Sequence, residues 1–448
     1  MSVGATPSLN FIGDTVGDVA PHSMSEMRGI RFATGNSPTT GAISLSDFRN
    51  QTLTSTVAQQ AKIQASDKQA NDIFGLSVAI SDDGNTAIVG APYEDTIIDD
   101  GAAYIFTRSG ASWTQQAKIQ ASDKQGNDHF GDSVSISSDG NTAIVGAGNE
   151  SYTGAAYIFT RSGTSWTQQA KIMASDKQQN DYFGRSVSIS GDGNTALVGA
   201  YGEDTGGPHA GTAYIYARSG TSWTQQQRIQ ASDKKTDGNF GVSVAISGDG
   251  NTAIVGAHEF GITGGSAYIF TWSGTTWSEQ QKIQASDKQV QDYFGLSVAI
   301  SEDGNTAIAG AFREDTGGTD AGAAYIFTRS GTTWTQQAKI QASDKQGGDW
   351  FGRSVSISGD GNTTLVGARS EDTGGTDAGA AYIFTRSGTT WTQKLKIQAS
   401  DKQASDAFGH SVSISDDGNT AIVGAYLEDT GATDAGAAYI FADSGYYI

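Results

Sequence analysis

The sequence predicts an all-β fold made of a sevenfold repeat, and three observations carry that prediction. A Phe-Gly pair recurs at Phe74-Gly75, Phe130-Gly131, Phe183-Gly184, Phe240-Gly241, Phe294-Gly295, Phe351-Gly352 and Phe408-Gly409, with successive phenylalanines 53 to 57 residues apart. Each interval reads as four short strands. The last copy lacks its fourth strand, and a spare copy of that strand precedes the first repeat. Four antiparallel strands at a period of roughly 50 residues make one propeller blade, so the chain is expected to form a seven-bladed β-propeller.

The first copy shows the strands in order. Ser77-Val78-Ala79-Ile80-Ser81 alternates polar and apolar residues, as a half-buried strand does. Asp83-Gly84-Asn85 supplies a tight hairpin turn, because Gly and Asn tolerate positive φ. Thr86 to Ala91 is nearly all apolar and reads as a strand buried on both faces. After a variable loop, Ala102 to Thr107 is rich in aromatic and β-branched residues. Ser109-Gly110 then turns the chain into a fourth strand from Trp113 to Gln120. The seventh copy ends after Ala438-Tyr439-Ile440-Phe441, and Gln59 to Asp67 matches Gln115 to Asp123 residue for residue. An N-terminal outer strand is therefore expected to complete the last blade and close the ring, which removes open sheet edges. Val57 stands where the other copies have Trp.

Composition narrows the function classes. The chain has 448 residues with 59 Gly, 5 Pro and no Cys, which suits tight turns between strands and excludes disulfides and thiolate metal sites. A formal charge of -20 excludes nucleic acid as the main partner, since phosphate binding needs a basic stripe. It also argues against docking on anionic lipid. No run approaches the ~18 apolar residues of a membrane span, so no membrane insertion is expected. Met1 to Pro21 has no basic start followed by an apolar core, so no secretory leader is expected. Residues 51–448 are assigned to the propeller and residues 1–50 to a separate docking arm.

The pattern Phe-Gly-x-Ser-Val followed by Val-Gly-Ala resembles the FG-GAP repeat of the integrin α-subunit propeller, over about residues 58 to 445. It resembles still more closely the FG-GAP repeats of bacterial and phage-encoded proteins. The resemblance implies a binding or display protein, not an enzyme. One departure matters. Several integrin blades carry an Asp-x-Asp-x-Asp-Gly calcium loop between their first two strands. Here that connection is a short turn, as in Ser81 to Thr86 or Ser358 to Thr363, with too few oxygens for the six to eight ligands Ca²⁺ takes. No cofactor is required, and a calcium site is not carried over. The same turn weakly resembles the Asp-box of sialidases, but a tight Asp-Gly-Asn hairpin is the preferred explanation. No arginine cluster can be assembled for a sialidase, because arginines fall mostly in the Thr-Arg-Ser-Gly turn (Arg108, Arg161, Arg329, Arg386). Ser-His-Asp spacings, paired metal-binding histidines and phosphate loops are absent from the sequence.

Binding residues are expected on the long loops, which connect the second strand to the third and the fourth to the next first. The second-to-third loop carries Glu-Asp in five copies: Glu94-Asp95, Glu203-Asp204, Glu314-Asp315, Glu371-Asp372 and Glu428-Asp429. One reading is a crown of carboxylates for Ca²⁺ or sugar hydroxyls; the other is turn-building and solubility. Copies two and four break the pattern, and Tyr152, His258 and Phe260 are candidate exposed anchors there. The host-side partner would be a surface glycan or protein.

The first fifty residues contain an internal echo, Ser23 to Gly29 and Ser44 to Asn50, each with Ser three residues before an acid, as at a short helix start. Gly41 to Arg49 resembles segments near the start of marine phage tail and fibre proteins. That resemblance implies docking to virion or tail proteins through Met24, Met27, Arg28, Leu45, Phe48 and Arg49, and a place on the virion. The alternatives are a loosely packed arm on a secreted or cell-surface bacterial adhesion module and, third, a sialidase-like or glycosidase-like enzyme.

Overall fold

Each Phe-Gly pair opens a four-stranded antiparallel sheet in the computed structural model, which describes residues 54–447 apart from 96, 97, 260 and 262, with side chains over 57–443. In the first blade the strands are Ser77–Ile80, Thr86–Ala91, Ala102–Ser109 and Ser112–Ile119, hydrogen-bonded in that order. Six blades follow this rule. In the seventh, Thr54–Ile63 pairs beside Ala437–Tyr447, which is followed by Thr420–Ala425 and Ser411–Ile414. The expected N-terminal closing strand is thus in place. By contacts, Gln59–Phe441 is one unit, the propeller; Thr54–Ala58 and Ala442–Tyr447 fall in another.

The first strands of successive blades neighbour one another and line the axis. Ring closure is written in the backbone at one end of it. In the Ser-x-Asp-Gly-Asn turns, the N–H of residue x donates to the carbonyl of residue x in the next blade. Asp82 donates to Ser138, Ser138 to Gly191, Gly191 to Gly248, Gly248 to Glu302, Glu302 to Gly359, Gly359 to Asp416, and Asp416 back to Asp82, at 3.0–3.2 Å. Within each turn the aspartate is also consumed. Asp83 Oδ1 accepts from Ser81 Oγ at 2.6 Å and from the Asn85 N–H at 2.9 Å. Burial works against its ionised form, but those hydrogen bonds outweigh it and hold the carboxyl below the usual range.

The core lies between blades. The second strand is buried along its whole length, as the continuous apolar run predicted. Phe74 is fully buried with its ring edge-on to Tyr104 at 5.5 Å and Phe106 at 6.0 Å, in a cluster that joins Val78 and Val89 of the first blade to Ile422 and Ile440 of the seventh. Burying such a side chain contributes about 1.5–3 kcal/mol. The following glycine is required: Gly131 sits at φ +104, and a Cβ there would lie 2.4 Å from the Ala102 carbonyl oxygen.

A feature hidden from the sequence ties the outer strands. The third and fourth strands slip register once per blade, between Ile105 and Phe106 in the first, leaving Gln116 as a bulged residue. The bulge re-aims that glutamine. Its Oε1 accepts from Trp166 Nε1 of the next blade at 3.0 Å, and Gln169–Trp223, Gln226–Trp277, Gln280–Trp334 and Gln337–Trp391 repeat the clamp.

Candidate functional site

The two long connections of each blade emerge on the same face and bind each other. Asn71 N–H donates to Thr433 O at 2.8 Å and Phe74 N–H to Ala435 O at 3.1 Å, joining the loop before blade one to the second-to-third loop of blade seven. On this face the glutamates of the Glu-Asp motif are buried, not displayed. Glu94, Glu203, Glu314, Glu371 and Glu428 are at most 2% exposed. Each pairs with a cation from the fourth strand of its blade: Lys118, Arg228, Lys339, Lys396 and Lys62, at 2.6–2.8 Å, and Lys282 stands at the same place in blade four, 3.4 Å from Glu259. The cation also holds the aspartate of the Ala-Ser-Asp segment, as Lys118 holds Asp67 at 2.7 Å, and Tyr104 Oη donates to the same carboxylate at 2.9 Å. Burial alone lowers the Lys118 pKa, but its bonds to Asp67 and Glu94 outweigh that and the net shift is upward.

Blades two and four, which break the sequence motif, keep the same element. Glu150 pairs with Lys171 at 2.8 Å, and Glu259 with Lys282 at 3.4 Å and also with Lys235 of the neighbouring loop at 3.0 Å. A buried charge needs a partner, and the loop backbone supplies the glutamate even where the motif around it changes. The adjacent aspartates are exposed but close their own loops. Asp95, Asp204, Asp315, Asp372 and Asp429 accept through Oδ1 from the N–H of Asp99, His209, Asp320, Asp377 and Asp434 at 2.6–2.9 Å. One oxygen of each remains outward. Among the described residues, no group of three or more His, Asp or Glu is arranged to hold a metal ion.

Of the candidate anchors, Tyr152 is 65% exposed, in a short turn where it adopts φ +62. His258, expected to be exposed, is half-buried with its ring 5.4 Å from Tyr293. Burial, with Arg353 nearby, pulls its pKa down to about 4, so it is neutral near pH 7. Phe260 lies outside the described residues, as do Met24, Met27, Arg28, Leu45, Phe48 and Arg49.

The variation between blades concentrates closer to the axis, at two positions. One follows each Phe-Gly pair, at the head of the innermost strand: Leu76, Asp132, Arg185, Val242, Leu296, Arg353 and His410. The other ends the second strand: Pro92, Gly148, Tyr201, His258, Phe312, Arg369 and Tyr426. Three arginines from blades three and six meet there. Arg353 is drawn down to about 10 by burial and then by the charges of Arg369 and Arg185. His410 is depressed by burial and by the same three guanidinium groups. Arg185 is neutralised by Asp132 at 2.6 Å. Arg369 lies over the Trp350 ring at 4.6 Å, donates to Tyr426 Oη at 3.0 Å, and leaves its buried Nε without a partner. Among the described residues, no carboxylate lies within ion-pair distance of Arg353 or Arg369. Phe312 and Tyr293 stack at 5.5 Å on one side and Tyr182 and Tyr201 at 5.2 Å on another. A cavity of ≈ 400 Å³ opens beside Arg369, lined also by Trp350, Ser370, Asp377, Ser405 and Tyr426.

Seven segments of the chain, 57–106, 113–159, 166–216, 223–270, 277–327, 334–384 and 391–441, match the model of the FG-GAP repeat. The chain belongs to the FG-GAP repeat family. It is also similar to human integrin alpha-D, at 28% identity over 176 residues, or 36% of this chain; the match spans 15% of the integrin.

In this FG-GAP propeller the conserved-looking motifs hold the scaffold and the residues flanking them line the axis. Sequence reasoning expected no arginine cluster, and the structure corrects that. The four turn arginines do stay at the short-turn end, where Arg161 donates to Asn141 Oδ1 at 2.9 Å and Arg108 to Gly110 O at 2.9 Å. Arg185, Arg353 and Arg369 carry no periodic signal, because arginine stands after the Phe-Gly pair in only two of seven repeats and after the second strand in only one. The signal was present as disagreement between repeats at one register.

Proposed function

We propose that the chain is a non-enzymatic binding module, displayed for adhesion, that recognises its ligand with the axial mouth of the long-loop face. One observation carries this reading: seven blades share the Ser-x-Asp-Gly-Asn turn, yet vary in size and charge at the two positions that line the opposite end of the axis. A rigid scaffold presenting a variable, partly unsatisfied surface is the arrangement binding proteins use. Most glycosidases flank the scissile bond with two carboxyl groups, and sialidases use a tyrosine nucleophile in place of one. Here the buried glutamates are held in ion pairs and Asp132 is held by Arg185, which favours binding over turnover.

Residues 1–50 are proposed to dock the propeller to a virion tail or capsid, on the strength of the Ser23–Gly29 and Ser44–Asn50 echo. The propeller would then face the host surface, where a glycan or protein is bound. Immuno-electron microscopy with an antibody to the propeller tests this arrangement. Label on particles supports it; label confined to the bacterial surface or medium would move the chain to the secreted adhesion reading. Binding of the fluorescently labelled full chain to intact cells, lost on Arg353→Leu, tests the recognition face itself.

A further inference from the structure

We propose that the axial mouth takes a saccharide carrying a carboxylate, with the acid group on Arg353 and Arg369 and the hydroxyls in the adjoining cavity. The inference rests on the binding-module reading and names the ligand class for it.

The positive charge of the mouth is the first argument. In a chain of net charge -20, three guanidinium groups from two blades converge on the axis, and only Arg185 has a described carboxylate partner. Gathering like charges in a half-buried place costs stability, and Arg353 shows it as a depressed pKa. A bound anion offsets that cost. Arginine suits a carboxylate because its planar fork donates two parallel hydrogen bonds. Neither Arg353 nor Arg369 has a carboxylate partner among the described residues, and the buried Nε of Arg369 shows that its guanidinium is not fully satisfied within the protein.

The surroundings decide the rest of the ligand. Trp350, Tyr426 and Phe312 present apolar ring faces around the arginines, and Arg353 lies 5.9 Å from the Phe312 ring. Ser370, Ser405 and Asp377 add hydroxyl and carboxylate groups to the same cavity, and these match a ligand with several hydroxyls. At ≈ 400 Å³ the cavity is sized for one or two sugar rings. A long polyanion is disfavoured. Beyond the mouth it would meet the acidic rim, including exposed Asp372 and Asp429.

Repeat symmetry supplies mild variants. Leu occupies the Arg353 position in blades one and five, and Tyr the Arg369 position in blades three and seven. Arg353→Leu and Arg369→Tyr therefore introduce residues the backbone already accepts. Titration calorimetry on the full chain with glucuronate, glucose, inorganic sulfate and a Glu-containing tetrapeptide is the test, with the ligand-induced change in tryptophan fluorescence that is lost on Trp350→Phe as a second readout. Glucuronate is expected to bind at least tenfold tighter than glucose, and the double variant to lose at least tenfold. Glucuronate no tighter than glucose, or unchanged in the variant, would overturn the proposal. Sulfate binding as tightly as glucuronate would make the mouth a bare anion site. Tighter binding of the peptide would assign it to an acidic protein; either result also overturns the saccharide. Should glucuronate fail while the full chain still binds cells through Arg353, only the ligand class falls. Glucuronate binding with no cell binding removes the adhesion reading and leaves the site.

Discussion

The two mouths of the propeller axis are built from the same seven repeats and have opposite characters. At the short-turn mouth, most polar groups are spent within the scaffold: the seven-membered backbone ring, the Ser-Asp-Asn turns and the turn arginines close on themselves, and a group of acids is left beside them. Three acids, Asp82, Glu302 and Asp416, stand there. The Glu302 carboxylate lies across Gly248, where a Cβ would fall 1.3 Å from its Oε2. At the long-loop mouth the equivalent residues are Arg, His, Tyr, Phe or Leu from blade to blade, and guanidinium atoms are left over. The contrast shows where repeat symmetry constrains. Positions that staple blade to blade repeat, with one tolerated exception: Val57 stands for Trp and Lys394 for the bulged Gln at one of the outer clamps. Positions facing the axis at the other end touch different neighbours in each blade and are free to diverge.

The largest effect is expected from breaking the scaffold. Phe130→Ala removes a fully buried ring packed edge-on against Tyr157 and Phe159, and should cost about 3–5 kcal/mol in chemical denaturation. Close behind, Glu314→Ala leaves Lys339 half-buried beside an empty pocket, for a loss of about 3 kcal/mol. Asp315→Ala removes one hydrogen bond from an exposed loop and should cost about 1 kcal/mol. Equal losses for Glu314 and Asp315 would mean that the motif is not divided into a buried and a displayed half.

At the long-loop mouth the expectation reverses. Arg353→Leu and Arg369→Tyr should shift stability by less than about 1 kcal/mol, and in either direction, because like charges are relieved as donors are lost. A loss comparable to Phe130→Ala would place these arginines in the scaffold and erase the distinction between the mouths.

The smallest effect is a pH dependence at the short-turn mouth. Burial, then Asp82, Asp416 and Asp249, raise Glu302 to about 7, against an unfolded reference near ~4.3. The folded state therefore binds the proton more readily, and stability rises as pH falls from about 8 to about 5. Asp72, Asp181, Asp292, Asp349 and Asp406, raised to about 6 mainly by burial, act in the same direction. Ion-paired Asp67, Asp287 and Asp401 act oppositely, and their contribution is lost below about pH 4. Glu302→Gln should raise the melting temperature at pH 8 by about 1–2 °C and leave it unchanged at pH 5. An equal shift at both pH values would show that Glu302 does not titrate in this window.

The scaffold was legible in the sequence because its signals are periodic. Seven Phe-Gly pairs give the blade count, and Gln59 to Asp67 gives the closing strand. The bulge at Gln116 was not legible, since it depends on how the third strand opposes the fourth. The fate of the Glu-Asp motif was only half legible: composition marks it acidic, but burial of Glu314 follows from Lys339, 25 residues later, which reaches it across the blade. The axial arginines were missed for a different reason. Arg185 and Arg353 lie far apart in the chain, and only the ring brings their shared register to one place.

On the binding-module proposal, recognition belongs to the long-loop mouth alone. A crystal structure of the full chain soaked with glucuronate tests it most directly. The carboxylate is expected within about 3 Å of the Arg353 and Arg369 guanidinium groups, with the sugar ring in the cavity beside Trp350. Glucuronate bound instead at the short-turn mouth or along the outer acidic rim, with the axial arginines untouched, would contradict it.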